Sequence, residues 1–281
     1  MRTVGEAPEK EPLAIQGDDS PGDGGAEAAP GAAIELAGVG HVFGELEVIE
    51  RLGLRVGEHE VLGLVGPSGC GKSTLLELIA GLRSPTRGSI RIDGESADAE
   101  RLGRCAYLPQ RDLLLPWLTA IDNASLALRN RGASRTHARA WAHPLFERFG
   151  LAGFEGARPH ELSGGMRQRV AFLRTLLAGK PVLLLDEPFA ALDAITRTEM
   201  QEWLATALAG EPRTAVLVSH DVEEALYLCD RVVVLSARPA AALAELSAPA
   251  PRALPRPEVV TDSTFVATRE RALWAMREGT R

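Results

Sequence analysis

The chain has 281 residues, 45% hydrophobic and 25% charged, which is enough to bury one large core or two small ones. The composition is that of an ordinary globular protein, with no apolar run as long as a membrane span and no secretion-signal core at the N-terminus, so the cytoplasm is the expected compartment. The net charge of −7 comes mostly from residues 1–33, which hold seven acids against Arg2 and Lys10; the remainder lacks the basic footprint of a nucleic-acid binder, and no nucleic-acid partner is expected.

Residues 1–33 include "SPGDGGAEAAPGAA", rich in Gly, Pro, Ala and acid with almost nothing to bury, and read as a disordered acidic tail. Order is expected from "AIELAGVGHVFG" onward. Short apolar runs then alternate with helical patterns: "EVLGLVG" leads into "GKSTLLELIAGL", and "PVLLLD", "TAVLVS" and "RVVVL" follow. Near-continuous apolar strands of this kind belong to parallel sheets covered on both faces, so the fold class is α/β with a parallel or mixed sheet. After "TAVLVS", "HDVEEALYLCD" puts Val222, Ala225, Leu226 and Cys229 on one helical face, with Asp221, Glu223 and Glu224 in the first turn, where the helix dipole favours acids.

Residues from about 105 to 165 break this rhythm. They are rich in Ala, Leu and Arg at helical spacing and show no clear buried strand, so they read as a helical subdomain inserted in the core. Residues 238–281 read as a loose linker and one helix, too short for a further β-barrel domain. The three cysteines, Cys70, Cys105 and Cys229, lack metal-ligand spacing and are too few for a disulfide framework; they read as small buried apolar residues.

Two stretches carry chemistry. Gly66, Gly71, Lys72 and Ser73 fit G-x-x-x-x-G-K-[ST] between a strand and a helix, the context the motif requires. Its glycines let backbone N–H groups converge on phosphate at a helix N-terminus. Lys72 would reach the β- and γ-phosphates, Ser73 would bind Mg²⁺, and Thr74 would bond near the α-phosphate. The chain holds only three lysines against 28 arginines, so a lysine at 72 reads as demanded by the site, where a compact ammonium fits and a planar fork does not. In "PVLLLDEPFAALD" an apolar strand ends in Asp186, placed to hold Mg²⁺, and Glu187 follows as a candidate general base; a capping acid pair is the blander alternative.

In the order "GPSGCGKST", "LSGGM", "VLLLDEP", "ALD" and a histidine after an apolar strand, the chain resembles the nucleotide-binding subunit of ABC transporters over about residues 34–237. The resemblance implies the ABC ATPase fold, a P-loop NTPase (RecA-like) core with an inserted helical subdomain. It assigns Gly66, Pro67, Ser68, Gly69, Cys70, Gly71, Lys72, Ser73 and Thr74 to ATP, and Ser73, Asp186 and the Q-loop residue Gln110 to Mg²⁺. It implies that Phe43 stacks on adenine, where a Tyr is more usual, that Asp193 is the D-loop acid, and that His220 contacts the γ-phosphate. It makes Glu187, His220 and Gln110 the catalytic set. Two such subunits pair head to tail, so Ser163, Gly164 and Gly165 of one chain would close on ATP held by the other.

Narrower features, "QRDLLLPWLTAIDN", "LSGGMRQRVAFLRTLL" and "VVVLSARP", resemble ATPases for uptake of nitrate, sulfonate, taurine and pyrimidine precursors. That resemblance implies permease subunits in the membrane, a solute-binding protein, and a place on the inner face of the membrane through the permease. The apolar segment Leu113–Trp117 suits either burial or docking on the permease. "ARPAAAL" departs from the commoner Arg-Pro-Gly. An exporter subunit and a soluble ABC-type ATPase not engaged in transport are the alternatives.

Overall fold

The computed structural model describes residues 32–210, 212–249 and 254–279; the acidic tail lies outside these except for Ala32 and Ala33, which open strand β1. Two sheets make the frame. The smaller is antiparallel, in the order β2-β1-β4, from β1 (Ala32–Phe43), β2 (Leu46–Gly57) and β4 (Arg87–Ile92). The larger has the order β5-β6-β7-β3-β8-β9. It is parallel through β5 (Cys105–Leu108), β6 (Val182–Asp186), β7 (Thr214–Ser219), β3 (Val61–Val65) and β8 (Arg231–Leu235), and β9 (Ala242–Ser247) closes one edge antiparallel to β8.

The central strands are buried on both faces because each face has its own core. Leu62 and Leu64 of β3 join the smaller sheet and helix α1 (Lys72–Ala80), whereas Val61 and Val65 join the helical side. The same alternation runs through β6 and β7, with Leu184, Val216 and Val218 on one face and Leu183, Leu185, Ala215 and Leu217 on the other. Between β4 and β5 lies the short helix α2 (Asp98–Arg104).

The helical region is narrower than the sequence suggests. Residues 105–108, read as the start of the insertion, are the edge strand β5, paired in parallel with β6. A four-residue strand on an edge carries too little apolar pattern to stand out. The helices proper are α3 (Ala120–Ala124), α4 (Leu126–Asn130) and α5 (Arg135–Arg148), followed by α6 (Gly164–Leu177). Asp122, 1% exposed, binds Arg135 and Arg139 through both carboxylate oxygens, which holds α3 to α5 and keeps its carboxyl below the usual range. Phe149 and Phe172 pack on Trp203 of α7 (Ala194–Gly210), with ring centroids 4.5 and 6.3 Å away. This aromatic cluster joins the helical region to the sheet-bearing part.

The C-terminal segment also departs from expectation. Where a linker and one helix were read over 238–281, the structure has β9 and two helices, α9 (Arg256–Thr261) and α10 (Ser263–Glu278). They follow α8 (Val222–Leu228) and pack into the same body. Asp262 caps α10 by accepting from the Thr264 and Phe265 amides, and Phe265, Thr268, Ala272 and Ala275 bury one face. Arg256 and Arg269 both reach Glu223 of α8.

Phe265 is fully buried, so Phe265→Ala should cost about 3–5 kcal/mol of unfolding free energy, read from the urea midpoint. A loss below ~1 kcal/mol would detach α10 from the core.

Candidate active site

Strand β3, buried along its whole length, delivers the chain to Gly66, and α1 begins at Lys72. Between them the loop turns through Gly69 and Gly71, with φ of 76° and 121°. A Cβ at Gly71 would stand 2.8 Å from Val48 Cγ1 of β2, so both the backbone angle and the neighbour demand glycine. Helix α1 has no side-chain cap and no acid in its first turn, which leaves its amide donors open to an anion. Lys72, 6% exposed, donates from Nζ to the carbonyl oxygens of Gly66 and Pro67 at 2.7 and 2.9 Å. Nζ also lies 3.9 Å from Cys70 Sγ, so its hydrogen-bond partners are uncharged; the Asp186 carboxylate acts on it through space, and a phosphate would add a direct counter-charge.

The loop opens on a cleft of about 450 Å³ lined by Phe43, Leu46, Val48, Ser68, Gly69, Gly71, Lys72, Ser73, Thr74, Gln110, Glu187 and Arg238. Gly66 and Pro67 shape it through Lys72, and Cys70 is buried beneath it, 1% exposed.

Asp186 ends β6 at 2% exposure. Burial is the largest influence on its carboxyl and raises its pKa above the usual range; the bond to Ser73 works against this, and the neighbouring Glu187 charge adds to the rise. Tyr107 of β5 donates to it at 3.5 Å. The Ser73 hydroxyl and the Asp186 carboxylate are hard oxygen donors beside the phosphate loop, and a buried acid of this kind gains from a divalent cation. Among the described residues no group of three or more His, Cys, Asp or Glu is placed to hold a metal ion.

Glu187 follows with φ 48°, a left-handed conformation that costs a non-glycine residue roughly 1–2 kcal/mol. Its amide donates to Val218 O at 3.0 Å, and Oε2 accepts from Gln110 Nε2 at 3.2 Å while His220 Nδ1 lies 3.5 Å away. The ends of β5, β6 and β7 therefore bring the three expected catalytic residues around one carboxylate oxygen. Behind His220, the Asp221 side chain caps α8, and Gln201 of α7 donates to the buried Glu224 at 2.8 Å. Burial raises the Glu224 carboxyl above its ordinary range.

Phe43 sits at the rim of the cleft, 40% exposed, edge-on to His41 and beneath the Arg83 guanidinium at 5.0 Å. Ser163, Gly164 and Gly165 do not line this cleft. Ser163 caps α6 by accepting from the Met166 amide at 3.2 Å, and both Ser163 and Gly164 face solvent. A Cβ at Gly165 would come within 3.4 Å of Ala191 O, so the start of α6 packs beside the loop that carries Asp193. Asp193, also exposed, caps α7 through the Thr196 amide, and that bond lowers its carboxyl pKa. Ser163 and Gly164 therefore lie away from the cleft on which the phosphate loop opens.

Sequence reasoning missed Tyr107, Arg83 and Arg238. Tyr107 stands three residues before Gln110 in "YLPQ", where strand alternation could have aimed it at the cleft; Arg83 carries no such signal, and Arg238 was read only as part of "VVVLSARP" and "ARPAAAL", with no role at the cleft.

The family model described as "ABC transporter" matches residues 49–190. The formylaminopyrimidine import ATP-binding protein ThiZ of Halalkalibacterium halodurans is 46% identical over 202 residues, 72% of this chain and 78% of the relative. The aliphatic sulfonates import ATP-binding protein SsuB 1 of Rhodococcus jostii is 48% identical over 72% of this chain and 79% of its own. The taurine import ATP-binding protein TauB of Burkholderia thailandensis is 42% identical, over 70% and 75%. Among solved structures, the dimeric post-hydrolysis state of the ATP-binding cassette MJ0796 bound to ADP and Pi aligns with a TM-score of 0.71 at 29% identity, covering 77% of this chain and 99% of that chain. The chain belongs to the ABC transporter family, and it is an ATPase of that family.

Gly71→Ala should drive Val48 off the loop and weaken ATP binding by at least about tenfold, with helix content unchanged by circular dichroism. Wild-type affinity in that variant would show that the loop tolerates a side chain there.

Proposed function

We propose that this chain powers import of a small solute through a separate membrane permease, as one of two ATP-hydrolysing subunits paired head to tail. The observation that carries the catalytic part is the convergence of Gln110 and His220 on Glu187 at the lip of the phosphate cleft. In this reading Glu187 takes the proton of the attacking water, and His220 and Gln110 orient it. The P-loop residues Gly66 to Thr74 cradle the phosphates, and Phe43 meets the adenine. Ser73, Asp186 and Gln110 would hold Mg²⁺, which when bound offsets the negative charge of the phosphates. The ATPase body, read from sequence as residues 34–237, extends in this reading to 279.

Head-to-tail pairing is supported by the outward-facing Ser163 and Gly164, which lie off the chain's own cleft, and by the dimeric state of the MJ0796 cassette. Import is supported by the relatives named for formylaminopyrimidine, aliphatic sulfonates and taurine, and it implies a solute-binding protein. No helix among the described residues is long and apolar enough to cross a membrane, so a separate permease would supply the path and hold this subunit at the membrane's inner face. Leu113 and Trp117, 60% and 69% exposed, form the docking surface. The segment is pinned from behind: Asn123 bonds to Leu115, Leu118 and Thr119, and Arg174 of α6 donates to the Asp112 and Leu113 carbonyls at 2.8 Å.

Glu187→Gln should bind ATP, accumulate as a dimer by size-exclusion chromatography, and hydrolyse at least about a hundredfold more slowly. Adding Ser163→Arg to the same chain should leave ATP binding intact and abolish that dimer. Parental hydrolysis by the first variant would remove Glu187 from the role of base, and a dimer of the second would place Ser163 away from the interface.

Replacing Leu113 and Trp117 with Ser should stop uptake in membrane vesicles that carry the permease, while the isolated subunit still hydrolyses ATP. Normal uptake would move the docking surface elsewhere.

A further inference from the structure

We infer that Arg238 is a nucleotide-binding residue whose guanidinium holds the part of ATP that is not transferred, its α-phosphate and ribose. The inference rests on the reading of the cleft as the ATP site. Three observations lead to it: where the fold puts this arginine, how firmly its loop is held, and what its guanidinium lacks.

Strand β8 flanks β3 on the side away from β7. The chain leaving β8 at Leu235 therefore runs beside the start of the phosphate loop, where a Cβ at Gly66 would meet Leu235 O at 3.0 Å. Glu187 leaves β6, on the other side of β3 and beyond β7. The ends of β6 and β8 are three strand spacings apart, roughly 14 Å, with the phosphate loop between them. Arg238 and Glu187 thus line one cleft from opposite sides. Glu187 marks the end where the terminal phosphate reacts. Arg238 faces the other end, which Phe43, Leu46 and Val48 also line.

The loop bearing Arg238 is braced twice. On one side Ala240 donates to Val48 O at 2.8 Å and accepts from the Glu50 amide at 3.4 Å, which fastens it to β2. On the other, Ala237 donates to Gly279 O at 3.1 Å, at the end of α10. Within the loop, Ser236 Oγ accepts from the Ala241 amide and donates to Pro239 O. The Arg238 guanidinium itself has no hydrogen-bond or ion-pair partner among the described residues, and the residue is exposed. A planar five-donor cation left unpaired on a fixed loop, at the wall of an anion site, is fitted to bond phosphate and hydroxyl oxygens.

Titration calorimetry on the full chain with MgADP, MgATP and pyrophosphate tests this. Arg238→Ala should weaken ADP and ATP alike by about tenfold and leave pyrophosphate, which reaches only the Lys72 end, within about twofold. KM for ATP should rise in step, and turnover at saturation should fall by less than affinity does. Arg238→Lys should recover part of the loss, and Lys72→Ala should weaken all three ligands. Unchanged ADP and ATP affinity in Arg238→Ala, or an equal loss for pyrophosphate, would overturn the assignment. If Arg238→Ala does not fold, the same comparisons on Arg238→Gln decide it. Failure of the parent chain to bind ADP or ATP would instead overturn the reading of the cleft.

Discussion

Strand β2 approaches the phosphate loop so closely that position 71 has no room for a side chain, and the site is arranged around that approach. The same strand supplies Leu46 and Val48 to the cleft wall and fastens Ala240, and with it the loop that carries Arg238. It holds its place because the smaller sheet shares one packed core with the face of the larger sheet that α1 covers. Packing at this density transmits small displacements, so a change in the smaller sheet is felt at the phosphates.

Helix α6 joins the two ends of the proposed machine. Ser163 caps its start, and Arg174, eleven residues on and roughly 16 Å away, grips the carbonyls behind Leu113. Arg167, between them, pairs with Asp112 at 3.0 Å. An uninterrupted helix between the proposed phosphate contact and the proposed docking loop is stiff, and it would carry motion at one end to the other. Leu113 holds a left-handed φ of 45° there, an unusual conformation for a leucine that the two Arg174 bonds help to fix.

Much of this was legible because the chemistry is local. A glycine loop between strand and helix, an apolar strand ending in Asp186 and Glu187, and a histidine after another apolar strand each announce themselves within ten residues. Elements whose reason is long-range were not legible. Strand β5 is four residues on an edge, and β9, "ALAELS", sits beside proline-rich sequence that reads as linker until its pairing with β8 is seen. Arg238 shows a related limit: it stands in "VVVLSARP", a stretch read only for its resemblance to uptake ATPases, and it is the order of strands that places it at the cleft.

The aromatic cluster around Trp203 gives the molecule an optical gauge of its own. Of its four tryptophans, Trp117, Trp141 and Trp274 are 55–69% exposed, whereas Trp203 is half-buried against Phe149 and Phe172. Indole emits at shorter wavelength in apolar surroundings than in water, so this ring supplies the blue edge of the tryptophan emission. That ring lies where α7 meets the helical region, and a turn of one against the other is written directly into the colour of the emitted light.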